Sequence, residues 1–238
     1  MDESIIIFED EHLLVISKPS GWIVNKASTT TDQPVLQTWL EDKKYPLAKD
    51  EQRRSGIVHR LDKETSGILL VAKDKDTFSY LQGLFKERKV KKEYLALVHG
   101  GVVLDKGVIN LPVGRLPWNR EKFGVIPGGR DAETKYKVVE RYQRNGNKFS
   151  LVKCYPKTGR THQIRIHLGY MGHSLVADTK YAGRKTARKD RLWCPRLFLH
   201  AKNISFIHPK GNKMLSFKSE LPTDLTVALL GLEKVPQS

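Results

Sequence analysis

Cysteine is nearly absent. Cys154 and Cys194 are the only two, far apart and in no CxxC pair. That excludes a disulfide scaffold and a thiolate zinc site, and both read as reduced, buried, small apolar residues. Long apolar runs are missing too. A run such as residues 68–72 is far too short to span a bilayer. The opening Met1-Asp2-Glu3-Ser4 is acidic, not the basic start of a signal peptide, so a cytoplasmic location is expected. No glycine-rich phosphate loop is present, since Gly128-Gly129 fits neither the P-loop nor the dinucleotide spacing. His162, His167, His200 and His208 have no acidic or cysteine partner at ligand spacing, so no metal is expected. Negative charge is also short: 26 Asp+Glu stand against 42 Lys+Arg, a formal net charge of +16. Self-repulsion on that scale points to a polyanionic partner.

The 39% of hydrophobic residues is enough for a real core and excludes a disordered chain. Apolar runs at residues 5–8 and 13–16, separated by Glu9-Asp10-Glu11-His12, read as a hairpin that ends in the turn Lys18-Pro19-Ser20-Gly21. Residues 33–41 carry apolar side chains at helical spacing, with Asp32 suited to the N-cap and Pro34 in the first turn. Residues 68–73 form a near-continuous apolar strand. A helix follows over 75–89, with Lys86, Arg88 and Lys89 in its last turn, and then a strand over 94–98. Strands at 134–140 and 149–155 flank the turn Arg144-Asn145-Gly146-Asn147. A helix over 161–171 closes at Gly172. Two strands at 197–201 and 204–207 lead into a hairpin at Gly211-Asn212, and a short helix spans 225–232. Residues 124–129 read as a flexible loop. Strands outnumber helices and are often joined by hairpins, which argues for an α+β fold with a mostly antiparallel sheet in a single domain over 1–238.

Three clusters carry the chemistry. His59-Arg60-Leu61-Asp62 with Thr65-Ser66-Gly67 displays one carboxylate at the mouth of a buried strand, a suitable place for a nucleophile or base. Lys91-Lys92-Glu93-Tyr94 contributes an aromatic. Lys157-Thr158-Gly159-Arg160-Thr161-His162-Gln163-Ile164-Arg165 contributes arginines at a helix start. Taken singly, Asp62 reads as a turn cap, Tyr94 as a core residue and Arg165 as a surface charge.

In this order the clusters closely resemble the RluA-type family of pseudouridine synthases. The resemblance runs from Val15-Ile16-Ser17-Lys18-Pro19-Ser20-Gly21 through the Asp62 segment and Lys92-Glu93-Tyr94. It continues over residues 158–167 and ends at Arg196-Leu197-Phe198-Leu199-His200-Ala201. It implies a bent, mostly antiparallel mixed sheet with flanking helices, and an isomerase that turns specific uridines of structured RNA into pseudouridine by base flipping. The nitrogen–ribose bond breaks and ribose is rejoined to carbon 5, with no cofactor. Asp62 would be the essential carboxylate, attacking the sugar or taking a proton from it. Arg165 would be its ion-pair partner, with Arg160 as the alternative. Tyr94 would stack on the flipped uracil, offsetting much of the flipping cost of a few kcal/mol with about 1–3 kcal/mol. Arg60 resembles the arginine that enters the vacated space and contacts the RNA backbone. The pattern begins near residue 5, so the resemblance covers the catalytic core without a preceding RNA-binding module and leaves ribosomal and transfer RNA both open. A monomer is expected.

Residues 86–92 and 180–196 are the densest basic stretches and read as phosphate-contacting strips. Two other functions remain at this point. An RNA chaperone would keep the fold without needing a catalytic carboxylate. An RNA N-glycosylase would release free uracil.

Overall fold

The computed structural model describes residues 5–26 and 33–235. In chain order the elements are β1 (Ile6–Glu9), β2 (Leu13–Lys18), α1 (Leu36–Asp42), β3 (Ser66–Ala72), α2 (Lys75–Lys86), β4 (Lys91–His99), β5 (Lys106–Asn110), β6 (Val113–Leu116), β7 (Asn119–Val125), β8 (Glu133–Arg144), β9 (Asn147–Pro156), α3 (Gln163–Tyr170), α4 (Arg184–Asp190), β10 (Leu199–Ile207), β11 (Met214–Lys218), α5 (Thr223–Leu230) and β12 (Glu233–Lys234). They group into two compact units, Met1–Lys91 with Ala201–Glu220, and Lys92–His200 with Leu221–Ser238.

In the first unit β1, β2 and β3 form an antiparallel meander, with Leu14 opposite Val71 and Ile16 opposite Leu69. Every residue of β3 is buried, which is why its sequence runs apolar without alternation. Its Ile68, Leu70 and Ala72 pack with Phe78, Leu81 and Leu84 of α2 and with Ile204 and Phe206 of β10. Leu81 is wholly buried and contributes roughly 1.5–3 kcal/mol by leaving water. Asp74 caps α2 by accepting from Thr77 N at 2.8 Å. The helix stops at Lys86, so Arg88 and Lys89 lie beyond it, and Arg88 adopts a left-handed φ of 60°. Gly67 has φ +113°, and a Cβ there would lie 2.2 Å from the Ala201 carbonyl oxygen, so only glycine lets β10 approach this close.

The second unit is built on β4, β9 and β8, all antiparallel, with β5 and β12 pairing different segments of β8. Asn145 (φ 48°) and Gly146 (φ 74°) make the tight turn between β8 and β9. One face, from Ala96, Val98, Val138, Val152 and Cys154, is covered by Ile164 and Leu168 of α3. Tyr94 packs at the edge of that cluster.

Several expectations change. Helix α1 begins at Leu36 rather than residue 33, because Pro34 O accepts from Ile23 N (2.9 Å) and Ile23 O from Leu36 N (2.8 Å), committing this backbone to a bridge. The expected N-cap Asp32 lies outside the described residues. The two strands expected around residues 197–207 are one, β10. Residues 124 and 125 are not loop: they belong to β7, with Gly124 opposite Gly114. Residues 184–190, expected as a charged stretch, form α4. Among the described residues no helix is long and apolar enough to cross a membrane.

Candidate active site

The Asp62 segment is held by main-chain contacts. Leu61 is buried, and Thr65 N donates to Asp62 O at 3.1 Å, closing a turn whose corners are Lys63 and Glu64. Lys18, fully buried, donates its Nζ to the carbonyls of Pro19 (2.8 Å), Trp22 (3.0 Å) and Lys63 (3.2 Å). Gly21 N donates to the same Lys63 carbonyl at 2.8 Å, and Ser20 Oγ to Glu64 O at 2.9 Å. An ammonium carries three donors and no acceptor, so a ring of carbonyls is the environment that lets it stay buried. The turn Lys18-Pro19-Ser20-Gly21 is therefore a clamp on the residues that follow Asp62. The Asp62 side chain is half-buried, and Arg60, two residues earlier, is exposed, with no hydrogen bond or ion pair among the described residues. On the other side of Arg60, His59 accepts from Leu70 N at 3.0 Å through Nε2 and lies 4.8 Å, centroid to centroid, from Phe85.

Tyr94 and Arg165 lie in the second unit. Tyr94 is half-buried on β4, opposite Cys154, whose thiol burial pushes up to about 12. The loop before α3 is fixed by Gln163. Its Oε1 accepts from Thr158 Oγ1 (2.7 Å) and Arg160 N (3.0 Å), and its Nε2 donates to Thr134 Oγ1 (2.9 Å) and Glu133 O (3.0 Å). His167, a turn further on, bridges Thr134 Oγ1 and Leu111 O, and burial holds its pKa below the usual histidine value. Thr158, Gln163 and His167 thus serve the architecture of the motif rather than its chemistry.

Arg165 is buried, not a surface charge. Asp178, itself fully buried, takes its Nε and Nη2 at 2.8 Å each, and the guanidinium rests 4.9 Å from the Tyr181 ring centre. Asp178 Oδ1 also accepts from Lys180 N (2.9 Å) and Tyr181 N (3.0 Å). Two fixed N–H contacts leave the guanidinium plane one orientation. His162 adopts a left-handed φ of 57° at the start of α3 and pairs its Nδ1 with Tyr181 OH at 2.7 Å. Asp178 and Tyr181 were missed from sequence; the one available signal was an acid standing at the head of a basic strip. Arg160 is placed differently, its Nε donating to Asp131 O at 3.0 Å. Arg196 leaves the expected phosphate strip altogether: it is buried and pairs with Asp224 through Nε (2.6 Å) and Nη2 (3.0 Å).

Lys92, two residues before Tyr94, has its pKa lowered to about 8 by burial, and its Nζ lies 3.4 Å from Thr158 O. The folded value lies below the unfolded one, so between about pH 8 and 10.5 the unfolded chain binds a proton that the folded chain has released. Stability is therefore expected to rise with pH across that window, and Lys92→Met should flatten the rise and stabilise the protein at pH 7. Urea midpoints at pH 7, 8, 9 and 10 check this; identical profiles for the two proteins would refute it.

Arg60 and Asp62 share one segment of the first unit, while Tyr94 and Arg165 flank the α3-covered cluster of the second. The RNA pseudouridylate synthase family pattern matches residues 12–170. The chain is 37% identical over 237 residues to the ribosomal large subunit pseudouridine synthase D of Nitrosomonas europaea, covering 98% of this chain and 66% of that protein. It is 36% identical over 233 residues to the ribosomal large subunit pseudouridine synthase C of Vibrio parahaemolyticus, covering 98% and 70%. It thus spans about two thirds of the length of these relatives. Among solved structures, human RNA pseudouridylate synthase domain containing 1 superposes with a TM-score of 0.75 at 26% identity, over 98% of this chain and 90% of that one. The α+β, mostly antiparallel architecture, the motif order and these similarities agree: the chain belongs to the RNA pseudouridylate synthase family, isomerases that act on RNA.

Proposed function

We propose that this chain converts specific uridines of structured RNA to pseudouridine, with Asp62 as the essential carboxylate. The observation that carries this reading is the Asp62 turn. A half-buried carboxylate is presented by a backbone fixed through Lys18, Ser20 and Gly21, beside an arginine with no partner among the described residues. Such clamping costs nothing at the moment of reaction, because the main chain has already been ordered. The glycosidic bond from N1 to C1′ breaks, the uracil turns, C5 bonds to C1′, and the proton lost from C5 is balanced by one gained at N1. Asp62 acts on the sugar as nucleophile or as base. Tyr94 stacks on the extruded uracil, Arg60 contacts the backbone where the base has left, and Arg165, its plane set by Asp178, supplies the positive charge.

The proposed substrate is ribosomal RNA, supported by the names of the relatives, with a transfer RNA stem-loop as the class to compare. The enzyme acts as a cytoplasmic monomer without a cofactor. RNA tritiated at uridine C5 tests the reading: release of tritium without free uracil is expected. Free uracil would indicate a glycosylase, and tritium retained across a broad RNA panel would indicate a binder.

Binding should follow phosphate electrostatics. Lys86, Arg88, Arg184, Lys185, Arg188 and Lys189 are all exposed. If these six contact phosphates, log affinity falls with log salt at a slope of roughly −4 to −5. Filter binding from 50 to 300 mM salt checks it, and a slope near zero removes the strips from the interface.

A further inference from the structure

A cleft of about 540 Å³ opens in the second unit, lined by Arg144, Asn145, Asn147, Lys185, Lys189 and Trp193 among others. Part of its lining is aromatic: the His99 and Phe149 ring centres lie 5.3 Å apart with the planes tilted by 47°, and Phe149 meets Trp193 edge-on at 5.4 Å. The Arg144 guanidinium lies 5.4 Å from the Trp193 ring centre, held there by donating Nη1 to Gly231 O at 2.7 Å. Lys185 and Lys189, four residues apart on one exposed face of α4, make no ion pair among the described residues. The one carboxylate in the lining, Asp190, is buried and already committed to His99 Nε2 (2.9 Å) and Ala177 N (2.8 Å). The cleft therefore combines cations that form no ion pair among the described residues, a guanidinium over an indole ring and two asparagines presented by the β8–β9 turn. Its volume lies within the 300–1,000 Å³ typical of small-ligand sites.

Tyr94 and His99 lie five residues apart on β4, an odd separation, so their side chains leave opposite faces of the sheet: Tyr94 packs with the α3-covered cluster, while Phe149 and Trp193 of the cleft belong to the cluster on the other face. The cleft is therefore separate from the surface that carries Tyr94.

We propose that this cleft is a second RNA site, which takes one unstacked nucleotide of the substrate with its base on the Arg144–Trp193 pair and its phosphate between Lys185 and Lys189. It deepens the reading of the chain as an RNA-modifying enzyme and rests on it. Aromatic rings and arginine planes stack any base, and asparagine amides read base edges, which is how single-stranded RNA is commonly held. Tyr94 would hold the target uridine, and this cleft would hold a nucleotide from another part of the same structured RNA.

A uridine-free cytidine octamer tests binding without any reaction, through tryptophan emission. Saturable quenching is expected in the wild type, and its loss in Trp193→Phe would locate the signal. Lys185→Glu/Lys189→Glu lies on an exposed helix face and should weaken the octamer on the order of tenfold. On a long tritiated substrate the same double variant should raise KM by about as much while kcat stays within about twofold. Quenching that persists in Trp193→Phe, or undiminished octamer affinity in the double variant, overturns the proposal. So does a mononucleotide that binds as tightly as the octamer, which would mark a small-molecule pocket. Because the octamer cannot be isomerised, a failure of the synthase reading would show separately, as retained tritium.

Discussion

Asp62→Ala and Asp62→Asn are each expected to reduce tritium release by at least about a thousandfold, while RNA affinity changes little. The reasoning is local. The contacts that hold the turn are made by the main-chain oxygens of Asp62, Lys63 and Glu64 and by the side chains of Lys18 and Ser20. Replacing the Asp62 carboxylate leaves all of them in place, so a folded, RNA-binding but inactive protein should result. Asparagine retains the shape and removes the negative oxygen, which separates chemistry from packing. Near-wild-type release by either variant would show that another group carries the reaction. Unchanged circular dichroism and octamer binding are the controls that keep a loss of activity from being a loss of fold.

The largest effect on stability is expected at Asp178. Its carboxylate has no solvent exposure, and the Arg165 side chain is 8% exposed. Breaking such a buried pair by removing its carboxylate is expected to cost about 3–5 kcal/mol. Asp178→Ala also deprives Lys180 N and Tyr181 N of their acceptor. For a chain of this size the melting temperature should fall by roughly 10 °C. The informative companion is Asp178→Ala/Arg165→Met. It removes the cation together with its carboxylate and should recover more than half of the loss, because a buried ion pair contributes little beyond its apolar replacement. A loss under about 1 kcal/mol in Asp178→Ala would mean that water reaches the guanidinium and that Asp178 does not set its plane.

Much of the architecture is legible in the chain because it is written in local periodicity. The apolar run of β3, the helical spacing of α2 and the Asn145-Gly146 turn each depend on neighbours a few residues away. The start of α1 was not legible, since the bridge from Ile23 to Val35 overrides the helix signal after Pro34. Helix α4 was hidden by its own composition. Its charges read as a phosphate-contacting strip, and only its buried Ala187 and Asp190 reveal a packed side. The β6–β7 hairpin was masked by glycines that read as loop punctuation. Gly114 and Gly124 face each other across the pair, and an added Cβ on either would meet Ile126 or Leu116 at 2.7 Å.

The candidate site divides in the same way. By itself the sequence determined the residue types: one carboxylate ahead of a Thr-Ser-Gly turn, an aromatic on a strand, arginines entering a helix, and a charge balance that demands a polyanion. These are matters of composition, order and short spacing, which the chain carries without folding. Only the tertiary structure decided what holds each group in place. Lys18 reaches across 45 residues to the carbonyl behind Asp62, and Asp178 reaches back 13 to fix Arg165. Arg196 is withdrawn into a pair with Asp224, 28 residues away. The physical reason is that a buried charge must find a partner wherever the fold brings one, and sequence separation carries no record of that distance.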